Sequence, residues 1–126
     1  MLSAALSSIA TRDVVTLEDT SALRDSVALM AEQAIDAVVV LAHDGLRIIT
    51  SRTVIALSLA KVDFSTPLTG ISLPRVSCAH SEQLISEGVK ALRASSSEHL
   101  CLVDAHQQLC GIVSFTDLLS HIDLND

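Results

Sequence analysis

Near its C-terminal end the chain reads L-C-G-I-V-S-F-T-D-L-L-S-H, from Leu109 to His121. Gly111 has no side chain, so another group can come close to the strand there. At Ser114 an apolar strand gives way to a helix, where free backbone N–H groups and the positive helix end face one spot. Asp117, in the first helical turn, adds a fixed pair of acceptors. Donors and acceptors converging on one side suit a ribose-phosphate. A plainer use of the same residues is a capping box, in which Ser114 and Asp117 each satisfy a backbone N–H, the cap contributing about 0.5–2 kcal/mol. The two uses are compatible, because a capping carboxylate can turn to a ligand when one binds.

The elements that position these groups are limited by composition. A chain of 126 residues makes one compact domain or two small ones sharing a core. Hydrophobic residues make up 49% of it, yet Phe64 and Phe115 are the only aromatics. The core is therefore built from Ala, Val, Leu and Ile, and runs rich in Val and Ile suit strands buried on both faces. Net charge is −7, from 15 acidic and 8 basic residues. With no basic stripe for phosphates along a duplex and no aromatic set to stack bases, a nucleic-acid binder is excluded. A small anionic ligand is not, since a helix end and one Arg bind phosphate locally.

Catalytic patterns are missing. There is no G-x-x-x-x-G-K loop, no H-E-x-x-H and no G-x-S-x-G. His43, His80, His99, His106 and His121 are scattered over turns and helix ends, as are paired acids such as Glu18-Asp19. The reading is that the chain is not an enzyme. Cys78, Cys101 and Cys110 are odd in number, lack C-x-x-C spacing and fall in apolar stretches, which reads as buried reduced thiols in a cytoplasmic protein. The rival is a metal site using Cys101, Cys110 and His99 or His106. No apolar run approaches the ~18 residues that span a bilayer, and the opening M-L-S-A-A-L-S-S-I-A has no basic n-region of a signal peptide. A cytoplasmic location without membrane attachment is the expectation.

The chain repeats itself. Val14–Leu17 reads as a strand and Ser21–Glu32 as a helix with Leu23, Val27 and Met30 on its apolar face. Asp36–Ala42 is a continuous β-branched run, His43-Asp44-Gly45 a turn, Arg47–Thr50 a strand and Ser51–Lys61 a helix. The order returns as strand Arg75–Cys78, helix Ser81–Arg93 with Ile85, Val89 and Leu92 on one face, strands His99–Asp104 and Cys110–Ser114, and helix Thr116–His121. Val14, Val27 and Met30 recur as Val76, Val89 and Leu92, 62 positions on; Ile48, Ile49 and Thr50 recur as Ile112, Val113 and Ser114, 64 positions on. This is an internal duplication of β-α-β-β-α units in an α/β (α+β) chain. The first repeat takes 1–62 with a lead-in at 1–12, a connector takes 63–74 with both prolines, and the second repeat takes 75–126.

With each unit ending in two apolar residues, Ser or Thr, and a helix, this order resembles the CBS domain family, named after cystathionine β-synthase. The likeness runs from about Ile9 to His121. The family's closing pattern is Gly, two apolar residues, Ser or Thr, two variable residues and Asp, which G-I-V-S-F-T-D (Gly111–Asp117) matches at every defined position. The resemblance implies a tandem pair, or Bateman module, packed with pseudo-two-fold symmetry. It implies an adenosine-containing ligand in the cleft between repeats, with Asp117 accepting from the ribose hydroxyls and Ser114 near ribose or phosphate. It implies a flat homodimer regulating a fused or separate effector, without catalysis.

In the first copy the equivalent stretch is R-I-I-T-S-R-T, where Arg47 replaces the Gly, Thr53 replaces the Asp and only Thr50 survives. A hydroxyl cannot accept from two vicinal hydroxyls as a carboxylate does, so this copy is expected to be weak or empty. The expected ligand site is Gly111, Ser114, Thr116 and Asp117. Arg52 and Arg75 are the nearest cations for a phosphate, and Ser72 and Ser77 candidates for lining the base. His121 reads as an exposed helix-end histidine near the C-terminal dipole. So few cations favour an AMP-like nucleotide over ATP, with ADP and S-adenosylmethionine as further candidates. The alternative is a ligand-free module that only mediates protein association. The sequence ends at L-N-D with no output domain, in keeping with an effector fused beyond it or acting separately.

Overall fold

The computed structural model describes residues 3–95 and 97–121; the closing L-N-D lies outside them. The order of elements is β1 (Thr16–Glu18), α1 (Leu23–Gln33), β2 (Ala37–Ala42), β3 (Gly45–Thr50), α2 (Ser51–Leu59), β4 (Ser77–His80), α3 (Ile85–Ala94), β5 (His99–Val103), β6 (Leu109–Ser114) and α4 (Phe115–Leu119). Single 3-10 turns stand at Leu6–Ser8 and Leu68–Gly70. The duplicated β-α-β-β-α order is present in full. In each repeat the first strand pairs parallel to the second, and the second pairs antiparallel to the third, giving sheets ordered β1-β2-β3 and β4-β5-β6.

Two compact units result, and their membership is not sequential. One runs from Val15 to Arg75; the other joins the chain up to Val14 with the chain from Val76 onward. The lead-in, which precedes the first repeat, makes its hydrogen bonds to elements of the second. Leu6 donates to the Gln83 carbonyl at 2.8 Å, Ile85 donates to that of Ala4 at 2.9 Å, and Thr11 and Ile112 exchange two bonds of 3.0 Å. In the other unit the connector does the same: Leu68 donates to the Ser21 carbonyl at 2.8 Å, Leu23 to that of Thr66 at 2.9 Å and Ile48 to that of Pro74 at 3.2 Å. Leu6-Ser7-Ser8-Ile9 and Leu68-Thr69-Gly70-Ile71 are thus equivalent stretches.

Each unit has its own apolar core. Leu23, Met30, Val38, Val40, Ile49, Leu68 and Leu73 form one; Leu6, Ile85, Leu92, Leu100, Leu102 and Val113 form the other. Alternation in β2 sends Val38 and Val40 to the helix side, while Val39 on the opposite face is buried too, as the unbroken β-branched run predicts. The helix faces differ from expectation by one position. Ser26 and Gly88 are buried, whereas Val27 and Val89 are half-buried. The missing side chain at Gly88 lets the Leu6–Ser8 turn close in: a Cβ there would lie 2.5 Å from Leu6 Cδ2. The Ser26 hydroxyl is satisfied by donating to the Leu23 carbonyl at 2.7 Å.

The expectation of three buried thiols is corrected in part. Cys101 is buried and Cys110 half-buried, but Cys78 is exposed, because β4 is an edge strand. Burial, reinforced by the neighbouring Cys78 sulfur, pushes the Cys101 thiol up to about 12. A thiol nearly devoid of thiolate at neutral pH does not react. Cys101 should therefore resist a disulfide-exchange reagent at pH 8 in the native protein and react fast only in denaturant, as thiol titration with and without urea would show.

Candidate functional site

The two strand-to-helix junctions decide what the repeats can hold. At β6–α4, Ser114 keeps an extended backbone and its Oγ accepts the Asp117 N–H at 3.1 Å, while Asp117 Oδ2 accepts the Ser114 N–H at 2.9 Å. The expected capping box is present. Both residues are half-buried, Thr116 and Phe115 beside them are exposed, and Asp117 Oδ1 makes no hydrogen bond among the described residues. His121 is half-buried rather than exposed, donating its N–H to the Leu118 carbonyl at 3.1 Å. What approaches the bare backbone of Gly111 is the lead-in: a Cβ there would lie 3.1 Å from Ala10 Cβ and 3.4 Å from the Thr11 carbonyl oxygen.

At β3–α2 the cap is thinner. Thr50 Oγ1 accepts the Thr53 N–H at 3.3 Å and lies 3.2 Å from the Thr53 hydroxyl, with no carboxylate in the pair. Arg47 stands where the second copy has Gly111. Its guanidinium donates to the Leu73 carbonyl at 3.0 Å and to Asp44 Oδ2 at 2.9 Å. Arg75 donates to the same Oδ2 and to the Asp44 carbonyl, both at 2.9 Å.

Asp44 is the residue that sequence reasoning treated only as a turn former. It sits at the tip of the β2–β3 hairpin, followed by Gly45, whose φ of 132° lies in a region that side-chain-bearing residues avoid. A signal was available in the spacing of Asp44 and Arg47, three apart. The Arg47 hydrogen bond first, then the charges of Arg47 and Arg75, hold the Asp44 carboxyl below its usual 3.8. A lowered folded-state value stabilises above the unfolded pKa and loses that contribution as pH falls through the folded one. Asp44→Asn should therefore be less stable than wild type at neutral pH, and in urea titrations the gap should narrow as pH falls through and below the ordinary carboxylate range.

The remaining candidates divide between the units. Arg52 is exposed on α2, and Ser72 is exposed in the connector; with Arg75 they belong to the unit of the first sheet. Ser77, half-buried at the start of β4, shares a unit with Gly111, Ser114, Thr116 and Asp117. Among the described residues no group of three His, Cys, Asp or Glu side chains is placed to hold a metal ion. No described helix is long and apolar enough to cross a membrane.

Residues 6–59 match the family model of the CBS domain. The first repeat is a CBS domain. The same strand and helix order returns from β4 to α4, and the chain has the fold of solved CBS-domain proteins. No curated protein matches it. Solved structures show the same fold at low identity. A CBS domain protein from Pyrobaculum aerophilum complexed with AMP is 18% identical, with a TM-score of 0.81 over 96% of this chain and 93% of that one. CBSX2 in complex with AMP is 13% identical, with a TM-score of 0.74 over 93% and 94%. A hexameric CBS-CP12 protein from bloom-forming cyanobacteria is 18% identical, with a TM-score of 0.83 over 99% and 71%.

Proposed function

We propose that this CBS pair is a regulatory module that senses an adenosine nucleotide through its second copy and controls a fused or separate effector, without catalysing a reaction. One observation carries the reading. The β6–α4 junction holds a carboxylate beside a hydroxyl cap, with one carboxylate oxygen left to accept, whereas the β3–α2 junction has only hydroxyls. Vicinal ribose hydroxyls are two donors, which a carboxylate accepts and a threonine does not. The AMP complexes of two proteins with this fold support the ligand class.

AMP is favoured over ATP. The junction itself offers Phe115 and Thr116 at its variable positions, and Arg75 is already engaged by Asp44. A chain of net charge −7 gains little from added phosphates without a matching cation. Calorimetric titration should give AMP an affinity equal to or above that of ATP, with ADP between. Tenfold tighter binding of ATP would overturn the AMP preference, and no binding of AMP, ADP, ATP or S-adenosylmethionine would overturn the sensing role.

The second reading, association without a ligand, rests on another observation. α2 exposes Ile55 and Leu59, at 61% and 80%, and α4 exposes Phe115 and Leu119, at 42% and 65%. Large apolar side chains left open on a helix favour a protein partner, and a second copy of this chain is the partner we favour. A nucleotide-sensing homodimer and a ligand-free one share this surface; the titration separates them.

A further inference from the structure

A pocket of about 220 Å³ lies wholly within the first unit, between the tip of the β2–β3 hairpin and residues 68–73. The fold explains its presence. In the other unit Gly111 lets Ala10 close onto the strand. Here Arg47 takes that position, and its side chain extends to the Leu73 carbonyl and to Asp44. The connector still reaches β3, Ile48 donating to the Pro74 carbonyl at 3.2 Å, but the Arg47 side chain stands where the other unit has a bare backbone, and a hollow lies beside it. Its walls are apolar, from Val40, Leu68, Ile71 and Leu73, and its rim carries charges of both signs, Asp19 and Arg47 among them. The Asp19 carboxylate has no hydrogen bond or ion pair among the described residues.

We infer that this pocket binds a small aliphatic α-amino acid. Its carboxylate meets the Arg47 guanidinium, its ammonium meets Asp19, and its side chain lies against Val40, Leu68 and Leu73. Size limits the class, since sites for drug-sized ligands and cofactors run to roughly 300–1,000 Å³ and this one is smaller. Charge narrows it further. Arg47, Asp44 and Arg75 together carry one net positive charge and Asp19 one negative charge, so a simple anion would face Asp19 and a simple amine the arginine pair, whereas a zwitterion satisfies both. A guanidinium has five N–H donors, and the Leu73 carbonyl and Asp44 Oδ2 take one each from Arg47. The site stands apart from the nucleotide reading, which uses the other unit.

The test is calorimetric titration of the whole chain with leucine, isoleucine and valine, alongside isovalerate, which lacks the ammonium, and isoamylamine, which lacks the carboxylate. Saturable binding of at least one amino acid is expected in the millimolar range or tighter, with both analogues weaker by at least about tenfold. Asp19→Asn should weaken that amino acid by about tenfold and should not weaken isovalerate, whose carboxylate loses a like charge. Arg47→Met should weaken amino acid and isovalerate together; if circular dichroism shows that it does not fold, Asp19→Asn and the analogue series decide. No saturable heat from any of the three amino acids up to about 10 mM would overturn the inference. Isovalerate binding as tightly as the amino acid, or Asp19→Asn binding it like wild type, would do the same.

Discussion

Replacing Asp117 by Ala is expected to weaken AMP binding by roughly 10- to 150-fold, because hydrogen bonds to a charged group contribute about 1.5–3 kcal/mol. The same change removes the acceptor for the Ser114 N–H, so folding stability should fall by about 0.5–2 kcal/mol as for other lost caps. These effects have to be separated. Asp117→Ser keeps a short oxygen that can accept the Ser114 N–H but has no second carboxylate oxygen for a diol. It should recover most of the stability in urea unfolding and little of the AMP affinity in calorimetry. If Asp117→Ser restored AMP binding to within about twofold of wild type, the carboxylate would be serving the helix and not a ribose, and the ligand reading would fail. Thr53 gives a control from the other direction. Its hydroxyl sits 3.2 Å from Thr50 Oγ1 with no charge nearby in the cap, so Thr53→Ala should leave AMP binding unchanged.

Much of this geometry is legible in the sequence because it is local. The Ser114–Asp117 box follows from a three-residue spacing at the end of an apolar run, and the β2–β3 hairpin from Asp44-Gly45 between β-branched stretches. The duplicated order follows from apolar periodicity, which reports each element's own buried face. What periodicity does not report is the partner of a segment. Leu6-Ser7-Ser8-Ile9 and Leu68-Thr69-Gly70-Ile71 are alike in sequence and equivalent in place, yet one precedes a repeat and the other lies between two. Order along the chain attaches each to the repeat that follows; hydrogen bonds attach each to the other unit. Gly111 shows the consequence for site reading. A bare backbone in a strand signals that something comes close, and here that something is Ala10. Asp44 was opaque for a similar reason, since one of its two arginines, Arg75, is the residue that follows the connector.

The lead-in should therefore be a structural member of the second unit. Leu6 is fully buried among Ile85, Leu92, Leu100 and Val113, so Leu6→Ala should cost about 2–5 kcal/mol, lost transfer energy plus a residual cavity. Against a typical total of about 5–15 kcal/mol that is a large share, and a chain shortened to begin after Ala10 should lose the second unit's cooperative unfolding. Gly88 supplies the sharper test. A methyl there would sit 2.5 Å from Leu6 Cδ2, and Leu6, with no exposed surface, has nowhere to move. Gly88→Ala alone should then destabilise, overpacking of about 1–3 kcal/mol outweighing the roughly 0.5–1 kcal/mol that Ala gains over Gly inside a helix. In the Leu6→Ala background the obstruction is gone and the sign should reverse, Gly88→Ala now stabilising by filling part of the cavity. Urea unfolding of the four proteins of this double-mutant cycle gives the coupling directly. An effect of Gly88→Ala that is the same with and without Leu6 would show that the turn at Leu6–Ser8 does not pack on α3 in solution, and that the unit holds together by the β4-β5-β6 sheet and its helix alone.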